Sequence, residues 1–117
     1  MTAAGSKVLE ITDGNFEEKV LKCSVPFLLD LSAEWCGPCQ AIAPTIAALA
    51  KQYAGDVAFG TVDIDKNPGI PTQFQVRSIP TLLLFSAGKV VGQLTGAHPK
   101  ARIVDLIEKI MTTSKAR

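Results

Sequence analysis

The chain has 117 residues, 47% of them apolar, with 12 lysines and arginines against 11 aspartates and glutamates for a net charge of +1. That length supports one domain with a sizeable core but not two, and the apolar content argues against disorder. The charges are balanced and scattered, which gives neither a basic footprint for nucleic acid nor a charged face for a membrane, and the longest apolar runs are far too short to span one.

In chain order, residues 1–6 read as a loose lead-in within a single domain covering 1–117. Residues 8–11, Val-Leu-Glu-Ile, are apolar enough for a short strand. Thr12 and Asp13 then offer capping oxygens for a helix over 15–23, where Phe16, Val20 and Leu21 fall at helical spacing. Ser24-Val25-Pro26 breaks that helix, and residues 27–32 form the next strand. A long helix over 36–53 carries Ile42, Ile46, Leu49 and Tyr53 at i, i+4, i+7 and i+11, with Pro44 inside it as an expected kink. After a turn at Gly55-Asp56, residues 57–64 read as a third strand ended by Asn67-Pro68-Gly69. A short helix over about 68–74 is opposed by Gly69 and Pro71. Residues 80–85 are the clearest strand, and Ala87-Gly88-Lys89 turns it into a partner over 90–95, a hairpin. Gly96-Ala97-His98-Pro99 leads into a last helix with an apolar stripe of Ile103, Leu106, Ile107 and Ile110.

The element order is β-α-β-α-β-α-β-β-α, which predicts an α/β fold with an open sheet and helices on both faces. The strand ending at Ser32 is expected at the centre, because both its faces are apolar apart from Asp30 and Ser32. In such sheets ligand chemistry gathers beyond the carboxyl ends of the strands. Trp35-Cys36-Gly37-Pro38-Cys39 falls there, between a strand end and a helix start.

A Cys-x-x-Cys in this position reads as a redox pair. The free N–H groups and positive dipole end of a helix stabilise a thiolate. Side chains three apart on a helix have Cβ atoms about 5–6 Å apart, close enough to the roughly 3.5–4.5 Å of a disulfide for a first turn to close and reopen. Gly37 lets the turn adjust, and Pro38 costs no needed hydrogen bond there. Two plainer readings stand beside this one, a buried inert pair and half of a zinc site, the latter with only Cys23 and His98 left as soft ligands. Residues 1–7 lack the basic-then-apolar order of a signal peptide, so a cytoplasmic location is expected, where stable structural disulfides are rare.

Asp30 is the most telling residue outside the motif. A carboxylate in a central apolar strand is costly without a task, and burial should raise its pKa toward neutrality. The plain alternative is an aspartate near a strand end that meets water. Likewise Pro80 reads as the first residue of a strand, Trp35 as packing or as an exposed contact, Cys23 as a small core residue, and His98 as a loop or cap residue.

Taken together, these features resemble the thioredoxins over residues 8–111. The resemblance is carried by Asp30-Leu31-Ser32-Ala33-Glu34-Trp35-Cys36-Gly37-Pro38-Cys39, by Pro44, by Asp63-Ile64-Asp65-Lys66-Asn67-Pro68-Gly69, by Ser78-Ile79-Pro80-Thr81-Leu82-Leu83-Leu84-Phe85, and by Gly88 and Gly96. It implies a thioredoxin-like fold with a central mixed sheet. It implies that Cys36 is the nucleophile and Cys39 the resolving thiol, with Asp30 as proton donor and acceptor for Cys39. A cis Ile79-Pro80 bond would face the cysteines and leave the Ile79 backbone free to pair with an extended substrate segment. Trp35, Gly37, Pro38, Ile79, Pro80 and Gly96 would line the substrate groove. The implied activity is protein-disulfide reduction by a monomer that an NADPH-dependent thioredoxin reductase recycles. No bound cofactor and no metal are expected, the dithiol being the redox centre. Gly37-Pro38 resembles reducing members more than oxidising relatives, which typically have a histidine before the second cysteine. A binding subunit whose groove holds a partner without turnover, and an oxidant or isomerase, remain as alternatives. Three departures stand out: Ser32 where a second tryptophan is common, Thr61 where a lysine lies near the buried aspartate, and Gln40 where many members have a lysine.

Overall fold

The computed structural model describes residues 7–115; the lead-in expected over 1–6 lies outside them. Strands β1 (Val8–Glu10), β2 (Phe27–Ser32), β3 (Ala58–Asp63), β4 (Thr81–Ser86) and β5 (Lys89–Thr95) form one sheet in the order β1-β3-β2-β4-β5. The first three run parallel to one another, while β4 is antiparallel to both β2 and β5. The sheet is therefore mixed, and β2 is its central strand. Every residue from Phe27 to Leu31 is buried, as a strand covered on both faces requires.

Helices α1 (Gly37–Gln52) and α3 (Lys100–Lys115) cover one face. There Leu28, Phe59, Leu82 and Leu84 pack against Ile42, Ile46 and Leu49 of α1 and Ile103 and Ile107 of α3. The other face buries Phe27, Leu29, Leu31, Val62, Leu83 and Phe85 under Phe16, Val20 and Ile70, the last from helix α2 (Gly69–Gln73). Each such side chain contributes about 1.5–3 kcal/mol. Because side chains alternate along a strand, Asp30 falls on the same face as Leu28, beneath α1.

The helix expected over 15–23 is a single turn of π-helix, Glu17–Leu21, in which the Lys22 N–H donates to the Glu17 carbonyl at 3.1 Å. This wide turn buries Phe16 and Val20 and leaves Glu17, Glu18 and Lys19 in solvent. Phe16, Phe74 and Phe85 meet edge to face with centroids 5.4–5.7 Å apart, which ties the turn and the end of α2 to β4. Asp13 does not cap the first helix. Its two carboxylate oxygens accept the N–H groups of Gly69 and Ile70 at 3.0 and 3.1 Å, so it caps α2 from across the fold. That external cap accounts for a helix forming over Gly69 and Pro71.

Helix α1 runs on through Pro44 without interruption. Strands β4 and β5 form the expected hairpin, closed by Ala87 and Gly88 at φ 53° and 81°. Leu84 faces Gly92 while Phe85 faces Val90, which leaves Val91 as a bulge. Gly60 on β3 is a close-approach position. A Cβ there would lie 2.8 Å from both Ile11 Cγ1 and the Phe27 ring, so the absence of a side chain lets these two core groups meet over the strand.

Candidate active site

β2 ends at Ser32, and four residues later Cys36 caps α1 with an extended backbone (φ −91°, ψ 107°). Its Sγ accepts the Cys39 N–H at 3.2 Å, so the sulfur takes the place that an oxygen holds in an ordinary N-cap. Gly37 and Pro38 occupy the first turn. Cys36 and Cys39 are joined as a disulfide with Cα atoms 5.3 Å apart. In this closed state Cys36 is 4% exposed and Cys39 1%, so both are buried and the first is the slightly more accessible. Ala33, Ile64 and Ile79 pack around the pair and shield it.

The Ile79-Pro80 bond is cis. The Ile79 carbonyl oxygen lies 4.0 Å from Cys36 Sγ. Among the described residues, neither backbone group of Ile79 is paired with another backbone group. Pro80 is held in turn by the Gly96 N–H, which donates to its carbonyl at 2.8 Å. Gly96 has φ +101°, where an L side chain is strained, and the space where its Cβ would stand is open for 4 Å. Trp35 is 69% exposed, and its Nε1–H donates to Asp65 Oδ2 at 2.7 Å. The tryptophan is thus a surface group anchored at one edge rather than a packing residue. Asp65 was not singled out from the sequence, although it lies within one of the stretches that carry the family resemblance.

Asp30 is 4% exposed, and its Oδ1 has no hydrogen-bond partner. Burial pushes its carboxyl up from the usual 3.8 to about 7. Its cross-strand neighbours are Thr61 on β3 and Leu82 on β4, neither of them charged. Asp30 and Cys39 line one cleft of about 330 Å³ together with Gln40, Ala43, Ile46 and Thr61. Gln40 turns its amide away and donates to the Ala33 carbonyl at 3.3 Å, so it does not satisfy the carboxylate. An unsatisfied acid therefore shares a cleft with the second cysteine.

The structure brings Cys36, Cys39, Ile79 and Pro80 together, places Asp30 behind Cys39, and joins Gly96 to Pro80. It does not bring Cys23 or His98 to the pair. Cys23 is half-buried before the start of β2 and lines a separate cavity with Val25, Ala87 and Met111. That end is a strand's length, about 20 Å, from Ser32. Among the described residues, no group of three or more His, Cys, Asp or Glu is placed to share a metal ion.

The thioredoxin family model matches residues 7–109. The chain belongs to the thioredoxin family. A thioredoxin of Haemophilus influenzae is 46% identical over 104 residues, covering 89% of this chain and 97% of that protein. A thioredoxin of Acidithiobacillus ferridurans is 45% identical over 101 residues, 86% of this chain and 94% of its own length. The chloroplastic M-type thioredoxin of Spinacia oleracea is 43% identical over 109 residues; the match takes in 93% of this chain and spans 60% of that protein's length. Thioredoxins are protein-disulfide oxidoreductases that carry electrons on their own cysteine pair. This chain holds that pair at disulfide distance in the Cys-x-x-Cys position, which makes it a thiol–disulfide reductase. Membership implies disulfide-bearing protein substrates and a thioredoxin reductase as partners. No helix among the described residues is long and apolar enough to cross a membrane.

Proposed function

We propose that the chain acts as one monomeric domain that reduces disulfides of cytoplasmic proteins and is recycled by an NADPH-dependent thioredoxin reductase. The observation that carries this reading is the disulfide at the N-terminus of α1, with the unpaired Ile79 backbone on one side and an unsatisfied Asp30 behind it. A substrate strand pairs with Ile79 and lays its disulfide over Cys36, while Trp35, Gly37, Pro38, Pro80 and Gly96 form the walls of the groove. The Cys36 thiolate, favoured by the helix end and the Cys39 N–H, attacks one substrate sulfur. A Cys36–substrate bond forms, the substrate S–S bond breaks, and the departing thiolate takes a proton from solvent. Asp30 then accepts the Cys39 proton. The Cys39 thiolate attacks Cys36 Sγ, closes the Cys36–Cys39 disulfide and releases the second substrate thiolate. Two electrons pass from the dithiol to the substrate, and two from the reductase restore it. The pair stores both electrons, so the cycle needs no bound cofactor and no metal.

The reduction potential of the pair tests the direction of electron flow. Trp35, the single tryptophan, lies next to Cys36 and gives a fluorescence signal in graded dithiol buffers. A value at or below the cytosolic glutathione poise, about −220 to −260 mV, is expected of a reductase. A value well above it would make the chain an oxidant or isomerase. The double variant Cys36→Ser, Cys39→Ser should lose turnover altogether. A cellular role that survives in that variant would instead identify a binding subunit.

A further inference from the structure

Asp30 lies closest to solvent on the side of β2 away from the groove. Paired residues of neighbouring strands point to the same face of a sheet. On the face beneath α1, Glu10 of β1 stands beside Thr61 of β3, and Thr61 beside Asp30 of β2. Two residues along β2, Ser32 stands beside Asp63 in the same way. Neighbouring strands are about 4.8 Å apart, so the row from Glu10 through Thr61 to Asp30 spans about 10 Å. Exposure falls along it, from exposed Glu10 through half-buried Thr61 to buried Asp30.

Two clefts follow this row. The outer, of about 290 Å³, is lined by Glu10, Glu34 and Asp63, and the inner, of about 330 Å³, by Asp30 and Cys39. Val8, Ser32, Gln40 and Thr61 line both, so the one opens into the other. No residue assigned to the groove lines either cleft. Ile79, Pro80 and Gly96 flank β4 and β5 on one side of β2, whereas the clefts lie toward β3 and β1 on the other. Among the described residues, the Ser32 and Thr61 hydroxyls have no partner within the chain, and neither has Asp30 Oδ1. A buried water needs about two to four polar partners, and these groups supply them. Ser32, Gln40 and Thr61 are also the three departures from the family pattern, each shorter than the tryptophan or lysine common at its position.

We propose that this double cleft is a rear entrance for protons, in which water held by the Ser32 and Thr61 hydroxyls carries the Asp30 proton to and from solvent while a substrate covers the groove. The inference rests on Asp30 accepting the Cys39 proton, as proposed above. That proton passes from Cys39 Sγ to Asp30, from Asp30 to water in the inner cleft, and out past Glu10, Glu34 and Asp63; no electrons move. Those three carboxylates are the other ionisable groups of the clefts. Leu82 faces Asp30 from β4, and α1 brings Cys39, the uncharged Gln40 and apolar residues. Ser32 and Thr61 act through Asp30 and are positioning residues.

The titration midpoint of the Asp30 carboxyl, followed by carbon-13 NMR on the full chain, tests this. In the oxidised parent it should fall at about 7. Thr61→Leu fills the row and removes the hydroxyl, and should raise the midpoint by about one pH unit, because the charged form loses its water. Thr61→Ser keeps the hydroxyl and should titrate with the parent. Ser32→Leu closes the cleft from β2 and should give the same rise as Thr61→Leu, so the test stands even where one leucine variant fails to fold. The second arm uses Cys39→Ser with a peptide joined to Cys36 as a mixed disulfide. With the groove covered in this way, Asp30 should titrate at the same pH as in Cys39→Ser without the peptide. A midpoint that rises when the peptide is attached places the entrance at the groove and overturns the proposal. So does a midpoint that stays at the parent value in the leucine variants. The reading of Asp30 as proton acceptor fails separately, by an Asp30→Asn variant whose Cys39 attacks the mixed disulfide at the parent rate, whatever the midpoints show.

Discussion

Replacing Asp30 with asparagine should stabilise the oxidised protein, and only above a defined pH. The carboxyl is buried with one oxygen unpaired, and its pKa is raised from 3.8 to about 7. Between those values the folded state holds a proton that the unfolded state has released, so stability falls as pH rises across that window. Below about pH 4 both states are protonated and the penalty is absent. Above pH 7 it is complete. At about 1.36 kcal/mol per pH unit, the window from 3.8 to about 7 corresponds to about 4 kcal/mol. Hydration through the cleft of about 330 Å³ makes that an upper figure. Urea unfolding followed by far-ultraviolet circular dichroism from about pH 4 to pH 9 measures the effect. The difference between Asp30→Asn and the parent chain cancels the other carboxylates. It should start near zero, climb through pH 4–7 and level off at no more than about 4 kcal/mol. A difference that does not depend on pH would refute the burial argument, because only an ionisation can produce that slope.

Cys39→Ser should trap a mixed disulfide between Cys36 and a substrate, seen as an added mass that a reducing agent removes, whereas Cys36→Ser should trap none. Thr61→Lys would place a cation opposite Asp30 on β3. It should lower the Asp30 pKa from about 7 and move the pH–rate profile of thiol–disulfide exchange to more acid values. Asp13→Ala removes the cap from the Gly69 and Ile70 N–H groups, and should cost about 1–2 kcal/mol in urea unfolding while leaving the potential of the cysteine pair unchanged.

The strands were legible because their signal is local. Phe27 to Leu31 had to be covered on both faces and Leu82 to Phe85 read as a buried strand, so the open sheet and its central strand followed from residue type, while its mixed character was implied by the family resemblance. The motif was legible because helix N-termini and cysteine chemistry act through adjacent residues. The features that escaped depend on contacts distant in sequence. Asp13 bonds to Gly69 and Ile70, more than fifty residues away, and nothing near Asp13 marks it as the cap of another helix. The Trp35–Asp65 bond joins two loops in the same way. The single π-turn at Glu17–Leu21 keeps Phe16 and Val20 in the core at the i, i+4 spacing of an ordinary helix, so the apolar pattern does not distinguish the two. The site was half legible on the same grounds: the type and position of Asp30 were visible, but its lack of a partner required knowing that Thr61 and Leu82 lie beside it.

On the roles proposed for them, the two sulfurs are activated by different means, and the geometry gives a reason. Cys36 stands at the helix end and receives an N–H from Cys39, so its anion is stabilised in place. Cys39, one turn in and 1% exposed, has no such donor among the described residues and shares a cleft with a carboxyl instead. Two anions in that cleft would each raise the cost of the other. When Cys39 loses its proton, the nearby Asp30 is therefore the favoured acceptor, because protonation removes a buried charge that already destabilises the fold. With its pKa raised to about 7, the buried carboxyl can take that proton near neutral pH as Cys39 attacks Cys36. A cation beside Asp30 would relieve the carboxylate beforehand and weaken that drive. With Thr61 and Gln40 uncharged, this chain keeps it.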